Sequence, residues 1–175
     1  MKLRVFNILK KTKVEGPQTR YCIWVQGCSR HCKGCQAVHT WSHSGGMLMD
    51  VEDIIADIKA QAGIEGVTFL GGEPFEQENQ KALLPLLRKV KQMYPDKTIW
   101  SYTGFIYDRD LVPNGNRYFD TTDEMVSYLD VLVDGPFVDE LKNISLSFRG
   151  SENQRVINMQ ETLKQHRIVL KEVKR

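Results

Sequence analysis

The sequence predicts an α/β fold in which parallel strands with outer helices form an incomplete TIM-type barrel, as a single domain over residues 1–175. First, short segments rich in β-branched and aromatic residues alternate with segments of helical periodicity, which is typical of a parallel sheet with helical crossovers. Second, each predicted strand ends in glycine and polar residues. Third, a full barrel of eight strand–helix units takes about 250 residues, and the chain has 175.

The first strand and the first helix are predicted from local pattern. Residues 21–26 read Tyr-Cys-Ile-Trp-Val-Gln and end at Gly27, which indicates a strand. Asp50 is expected to cap the following helix, with Asp53 as the acid of a capping box and Gly63 as the stop. This helix is predicted from an apolar stripe of Val51, Ile54, Ile55, Ile58 and Ala62.

The second strand, at residues 67–70, runs into a Gly-Gly-Glu-Pro turn at residues 71–74. Pro85 lies within the next helical segment, and a proline in a helix interior costs about 3 kcal/mol. That helix is therefore expected either to begin near Leu84 or to kink. Its apolar stripe consists of Leu83, Leu87, Val90 and Tyr94. The last two strands are predicted at residues 98–102 and 130–134.

The carboxyl ends of these strands are expected to carry the functional residues, because the ends of parallel strands meet at one edge of a sheet. At that edge the sequence has a group of cysteines, the Gly-Gly-Glu-Pro turn, Thr103-Gly104 and Asp134-Gly135.

Composition indicates a globular protein of the cytoplasm. The chain is 41% hydrophobic and 26% charged, and its net charge of +2 does not favour nucleic acid as a partner. No segment approaches the roughly 18 apolar residues of a membrane span, and no apolar run of a signal peptide follows Met1. We expect the basic residues 171–175 to be a solvated end.

The cysteines are concentrated in one short segment. All four lie between residues 22 and 35, and Cys28, Cys32 and Cys35 fall within eight residues of each other. In a reducing compartment this density favours metal ligation over disulfides. Thiolates are the usual ligands of iron–sulfur clusters, and three of them leave one iron of a 4Fe–4S cluster open to a substrate or cofactor.

A structural zinc site is the alternative, with His31 or His39 as the fourth ligand. Zinc sites of this kind generally use two separate pairs of ligands, and no second pair follows in the sequence, which favours the cluster. Cys22 lies within the first predicted strand and is interpreted as a small buried residue rather than as a ligand.

Three cysteines separated by three and then two residues, with a Gly-Gly-Glu-Pro turn after the next strand, resemble the radical S-adenosylmethionine enzymes. The resemblance implies a 4Fe–4S cluster on the three cysteines and S-adenosylmethionine bound through its amino and carboxylate groups to the open iron. It also implies that Gly71, Gly72 and Glu73 contact the amino group. The glycines would allow close backbone approach, and the glutamate would supply negative charge.

Gly34 occupies a position where most of these enzymes have an aromatic residue, and in this the chain resembles one branch, the activating proteins of anaerobic ribonucleoside-triphosphate reductase. The resemblance covers about residues 16–157. Gln36 departs from it, because asparagine is expected after the third cysteine, and this affects local contacts near the cluster rather than the chemistry. Further agreement lies in Thr40-Trp41 and in residues 100–104, 130–137 and 149–155.

This resemblance implies a specific oxidoreductase activity. A one-electron donor such as flavodoxin or ferredoxin would reduce the cluster, and S-adenosylmethionine would be split into methionine and a 5′-deoxyadenosyl radical. That radical would remove a hydrogen from a glycine of the glycyl-radical subunit of the reductase. Because the reacting atoms must approach to about 3–3.5 Å, the activating protein needs an open side.

Three other residues are assigned roles beside the cofactor. Thr103 is expected to touch the ribose or carboxylate of the cofactor. Asp134 is expected to make a polar contact beside the cofactor, or alternatively to form an Asp-Gly turn. Arg149 is expected to neutralise a carboxylate, with a loop that caps a helix as the alternative. Trp41 and Tyr102 are interpreted as packing residues.

Two rival functions remain open at the level of the sequence. One is an activase of another glycyl-radical enzyme, such as pyruvate formate-lyase, or a peptide-modifying radical enzyme. Larger activases often carry a ferredoxin-like insert with more cysteines, which this sequence lacks. The other is a non-catalytic iron–sulfur or zinc-binding module, which leaves the Gly-Gly-Glu-Pro turn without a purpose.

Overall fold

The computed structural model describes residues 1–174, so that Arg175 of the predicted basic tail lies outside the described residues. The strands are β1 (Lys2–Thr12), β2 (Arg20–Val25), β3 (Met47–Asp50), β4 (Gly66–Gly71), β5 (Thr98–Tyr102), β6 (Val131–Asp134) and β7 (Arg155–Asn158). The helices are α1 (Val51–Ala60), α2 (Gln77–Met93), α3 (Tyr107–Asp110), α4 (Thr122–Ser127) and α5 (Met159–Gln165). Within the described chain, no helix combines the length and the apolar character that crossing a membrane requires.

The seven strands form one mixed sheet in the order β3-β1-β2-β4-β5-β6-β7. Its centre, β2-β4-β5-β6, is parallel, as the alternation of strands and helices predicts. The outer strands β1, β3 and β7 pair in antiparallel fashion and were not predicted. The sheet is therefore a mixed α/β sheet with β3 and β7 at its edges.

One face of the sheet carries the main core. Ile23, Phe69 and Leu132 point to this face and pack against the apolar stripes of the helices. A smaller cluster around Trp100 and Phe148 lies on the opposite face. The larger core includes Ile54, Ile58, Leu83, Leu86 and Leu87, all almost fully buried, each stabilising the fold by about 1.5–3 kcal/mol.

The start of α1 differs from the predicted capping box. Asp50 occupies the N-cap position, but its side chain accepts no backbone hydrogen bond. Because β3 pairs with β1, the chain start lies beside the helix, and the amide of Val51 donates to the carbonyl of Met1 over 3.0 Å. The α-amino group of Met1 lies 3.9 Å from the Asp50 carboxylate.

Helix α2 runs without interruption through Pro85. The expectation that it begins near Leu84 is therefore wrong. Proline removes the hydrogen bond to the carbonyl of Lys81, four residues earlier, and Lys81 is an exposed residue. Burial of the leucines on both sides of Pro85 outweighs the cost of about 3 kcal/mol.

A fully buried arginine joins the amino ends of three central strands. Arg20 of β2 has no exposed surface, and burial lowers its pKa to about 10. Among the residues whose structure is described, no carboxylate pairs with its guanidinium, which lies over the ring of Trp100 at 5.5 Å. Its N–H groups donate to the hydroxyls of Thr68 and Thr98 and to the carbonyls of Pro17, Val67 and Thr98, over 2.7–3.3 Å.

Replacing Arg20 should therefore be costly. The Arg20→Met variant leaves buried acceptors on β4 and β5 without donors, and we expect its free energy of unfolding to fall by about 3 kcal/mol or more. The control Arg88→Met removes an exposed pair with Glu124 and should leave that free energy nearly unchanged. Urea unfolding measures both, and equal losses would contradict the role given to Arg20.

Candidate active site

The carboxyl ends of β2, β4 and β5 surround a cavity of about 230 Å³. It brings together three of the predicted groups from separate parts of the chain. They are the cysteines Cys28, Cys32 and Cys35, the turn residues Gly71, Gly72 and Glu73, and Thr103 with Gly104. The predicted convergence of strand ends therefore holds for these residues.

The cysteine loop begins directly after β2 and folds back on itself. The amides of Gly27 and Cys28 donate to the carbonyls of Thr40 and Trp41, over 2.8 and 3.1 Å. Cys28 is buried, whereas the other two cysteines of the triplet are partly exposed. Burial raises the pKa of the Cys28 thiol to about 11, and the Glu73 carboxylate adds to the rise. Binding of a metal at Cys28 therefore displaces a proton.

The donor set fits a cluster better than a single ion. Among the described residues, no group of three or more His, Cys, Asp or Glu side chains converges on one ion position. In a 4Fe–4S cluster each thiolate binds a different iron, so its ligands do not converge in this way. His31 stacks on Trp41 at 4.3 Å and His39 lies against Phe6 at 4.4 Å, and neither histidine lines the cavity. Within the described chain, the cavity therefore offers no histidine as the fourth ligand of a zinc ion.

Cys22 is separate from this site. It is fully buried in β2, as its interpretation as a small core residue requires. Burial raises the pKa of its thiol to about 12, which keeps the thiol neutral.

The two glycines of the turn pack against the end of β2. The amides of Gly72 and Glu73 donate to the carbonyls of Val25 and Gly27, both over 2.8 Å. A Cβ atom on Gly72 would lie 2.5 Å from the carbonyl oxygen of Gly27, and Gly71 has a φ of +103°. Glycine is thus required here because the turn packs closely against the backbone of Gly27, directly before Cys28.

Glu73 is buried and ties the ends of β4 and β5 together. Its Oε1 accepts from the hydroxyl of Thr103 at 2.8 Å and from the amide of Phe75 at 2.9 Å. Its Oε2 accepts from the amide of Gly104 at 2.7 Å. Burial raises the pKa of Glu73 to about 7, although these hydrogen bonds oppose the rise. The hydroxyl of Thr103 is therefore engaged by Glu73.

Asp134 and Arg149 do not line this cavity. Asp134 is buried on the opposite side of its strand, where its carboxylate accepts from Arg155 Nε and Nη2 at 2.9 and 2.6 Å. It also accepts from the amide of Tyr107, at the start of α3, over 2.8 Å. Arg149 donates to the carbonyl of Gln154 and lines a neighbouring cavity. Their expected contacts with a cofactor remain predictions that this placement does not favour.

The sequence reasoning missed Arg30, which lies between the first two cysteines. In the described part of the chain, it is the one cationic side chain that lines the cavity. Its guanidinium lies 5.1 Å from the centre of the Phe105 ring, and its Nε is buried without a hydrogen-bond partner there. Its position between two cysteines was visible in the sequence, but its direction depends on how the loop folds.

A second unpredicted group anchors the same loop. The amide of Ser29 donates to Glu76 at the start of α2 over 2.7 Å. Arg117 donates to the hydroxyl of Ser29 over 2.8 Å. Its guanidinium lies 4.7 Å from the centre of the Phe105 ring, against which Arg30 also packs. The loop between Cys28 and Cys32 is thus fixed from two sides.

Comparison with known proteins agrees with this site. Residues 14–157 match the family described as a 4Fe-4S single cluster domain. Three similar proteins are each named anaerobic ribonucleoside-triphosphate reductase-activating protein. That of Haemophilus influenzae is 39% identical over 145 residues, covering 81% of this chain and 88% of its own length. That of Vibrio cholerae is 40% identical over 146 residues, with the same coverage. That of Enterobacteria phage T4 is 32% identical, covering 82% and 86%.

A solved structure, QueE from Escherichia coli, has a TM-score of 0.45 and 20% sequence identity, and covers 59% of this chain and 53% of its own. This likeness is too low to support a conclusion.

The chain belongs to the family of anaerobic ribonucleoside-triphosphate reductase-activating proteins. The matched domain confirms the 4Fe–4S cluster that the cysteine spacing predicted.

The raised pKa of Glu73 predicts a pH-dependent stability of the cluster-free protein. Between about pH 4.5 and 7 the native state holds a proton on Glu73 that the unfolded state loses, so stability from this group declines as the pH rises. The decline should reach about 3 kcal/mol at most. Urea unfolding at several pH values compares the protein with Glu73→Gln, which does not titrate. Identical pH profiles would contradict the prediction.

Proposed function

We propose that this protein is a radical S-adenosylmethionine oxidoreductase that installs a glycyl radical in anaerobic, class III ribonucleoside-triphosphate reductase. Cys28, Cys32 and Cys35 would hold the 4Fe–4S cluster. When bound, the cluster and S-adenosylmethionine supply one-electron cleavage of the sulfonium and so a carbon radical that removes hydrogen. The observation that carries the proposal is the meeting of the cysteine triplet and the Gly-Gly-Glu turn in one cavity.

The residues around the cavity have distinct tasks in this proposal. The three thiolates would hold the cluster and leave one of its irons without a protein ligand. Glu73 supplies a buried negative charge next to a cationic cofactor, where the low dielectric strengthens attraction. A cation there would oppose the effect of burial and lower the pKa of Glu73. The aromatic walls exclude water from the reacting groups, and they consist of Trp24, Trp41, Tyr102 and Phe137.

Arg30 has the charge that the methionine carboxylate of the cofactor requires. Its buried Nε has no partner in the described structure, and an arginine can form two parallel hydrogen bonds to a carboxylate. In this proposal Arg30 orients that carboxylate, and Glu73 lies next to the amino group of the cofactor.

The setting of the reaction belongs to the same proposal. We treat the chain as one radical S-adenosylmethionine domain whose sheet is a partial barrel. A flavodoxin or ferredoxin would donate the electron, in the cytoplasm, because free thiols and a strong reductant need a reducing compartment. Neither a nucleic acid nor a membrane takes part.

Anaerobic reconstitution tests the central claim. With dithionite as the reductant, the cluster-loaded protein should form 5′-deoxyadenosine, and with the reductase present it should produce a glycyl radical signal in electron paramagnetic resonance. Cys32→Ala should abolish both, whereas Cys22→Ala, which removes a thiol buried in β2, should retain both. A protein that carries an intact 4Fe–4S cluster but never forms 5′-deoxyadenosine would contradict the proposal.

Arg30→Gln should weaken binding of S-adenosylmethionine by about tenfold or more, because one charged hydrogen-bonding partner of the carboxylate is lost. The decarboxylated cofactor should bind the variant and the parent protein with similar affinity. Lys33→Gln, in the same loop but largely exposed, is the matched control and should change neither affinity. Anaerobic calorimetry on cluster-loaded protein gives these constants. Equal losses for both ligands would show that Arg30 does not pair with the carboxylate.

A further inference from the structure

We propose that a groove beside the cysteine loop receives the extended, glycine-bearing segment of the reductase. We call it the entrance groove. Its walls are residues 34–37 of the cysteine loop, Tyr102, Gln154 and part of the segment 137–150, namely Phe137, residues 142–144, Leu146, Arg149 and Gly150. The inference rests on the proposed function and specifies the route by which the protein substrate reaches the cavity.

The entrance groove is continuous with the cavity of the cysteine triplet. It has a volume of about 460 Å³ and shares Cys35, Tyr102, Phe137 and Gln154 with that cavity. A chain segment that lies in the groove therefore extends directly to the place where the radical would form.

Reaction geometry favours a peptide over an electron donor as the occupant. Hydrogen removal needs reacting atoms about 3–3.5 Å apart, so the target glycine has to enter the cavity. An electron can reach the cluster without such contact. A glycine of a folded protein can enter only on a narrow, extended segment, and the lining of the groove runs from the exposed Ile144 to Cys35 of the cavity.

The charge and the exposed apolar surface of the entrance groove indicate which kind of peptide segment it can bind. Lys142 and Arg149 line the groove, and no acidic side chain does so among the described residues. The two carboxylates nearest to it in the same segment lie outside the lining, Asp139 behind Gly34 and Glu140 in an ion pair with Lys33. Ile144 is 87% exposed at the rim, which is an unusually large exposure for an isoleucine beside a cavity. The groove therefore suits a segment with a carboxylate near the glycine and an apolar residue that contacts Ile144.

The segment of residues 137–150 is held by the turn that follows it. The side chain of Gln154 accepts from the amide of Gly150 at 2.8 Å and donates to the carbonyl of Gly135 at 3.1 Å. The amide of Asn143 donates to the carbonyl of Gly150 over 3.1 Å. The segment 149–155 thus supports the groove wall through Gly150 and Gln154, which gives it a purpose other than contact with the cofactor.

Substitutions of two exposed residues test the groove, and neither residue lines the cavity of the cysteine triplet. Ile144→Asp and Lys142→Glu should leave 5′-deoxyadenosine formation by dithionite, measured without the reductase, unchanged. Both should weaken binding of the full-length reductase by about tenfold or more and lower the glycyl radical yield at limiting reductase in proportion. The effect of Lys142→Glu should shrink at high salt. Leu48→Asp, on the edge strand β3 and 55% exposed, is the control and should change none of these quantities.

The outcomes separate this inference from the proposed function. Failure of the unaltered protein to cleave S-adenosylmethionine contradicts the proposed function itself. Normal cleavage together with unchanged reductase binding in Ile144→Asp overturns the entrance groove. Two further results overturn it as well: loss of reduction by flavodoxin with a normal radical yield under dithionite, which indicates a donor site, and a changed oligomeric state, which indicates a second copy of this chain.

Discussion

The buried carboxylate of Glu73 determines where the other parts of the site lie. Its side chain holds the turn after β5 through Thr103 and Gly104, and its own amide donates to Gly27 in front of the cysteine loop. One residue thus connects the ends of three neighbouring strands. Burying a carboxylate is expensive, and the hydrogen bonds from the protein offset that cost only in part, as the raised pKa of Glu73 reflects.

Arg20 acts at the opposite end of the same strands. It joins β2, β4 and β5 near their amino ends, whereas Glu73 joins them at their carboxyl ends. The two buried side chains lie at opposite ends of the strands, so each is stabilised by local polar groups rather than by the other. A guanidinium at the amino ends and a carboxyl group at the carboxyl ends fix the relative positions of three parallel strands, whose slanted hydrogen bonds are slightly weaker than antiparallel ones.

The sequence allowed the central strands and the cluster loop to be predicted because their signals are local. The strand at residues 98–102 was predicted with the bounds it has, since its β-branched and aromatic residues are flanked by turn residues. Strand β1 was missed because its lysines and exposed positions obscure the pattern, and its pairing with β2 and β3 is not local.

The direction of side chains at strand ends was harder to predict. Strand β6 is buried on both faces, so its sequence shows no alternation that would assign Asp134 to the side away from the cavity. The same limit applies to Thr103, whose partner Glu73 lies 30 residues earlier in the chain. Arg30 belongs to a loop, where no periodicity exists.

The uneven covering of the sheet links the fold to a protein substrate. The large core and the helices occupy one face, and on the other face residues 137–150 lie beside the cysteine loop and leave a groove between them. For an activating protein that has to reach a backbone carbon of another protein, this uncovered stretch of the sheet is an advantage, because a chain segment can approach the cysteine triplet only where no helix packs against the sheet.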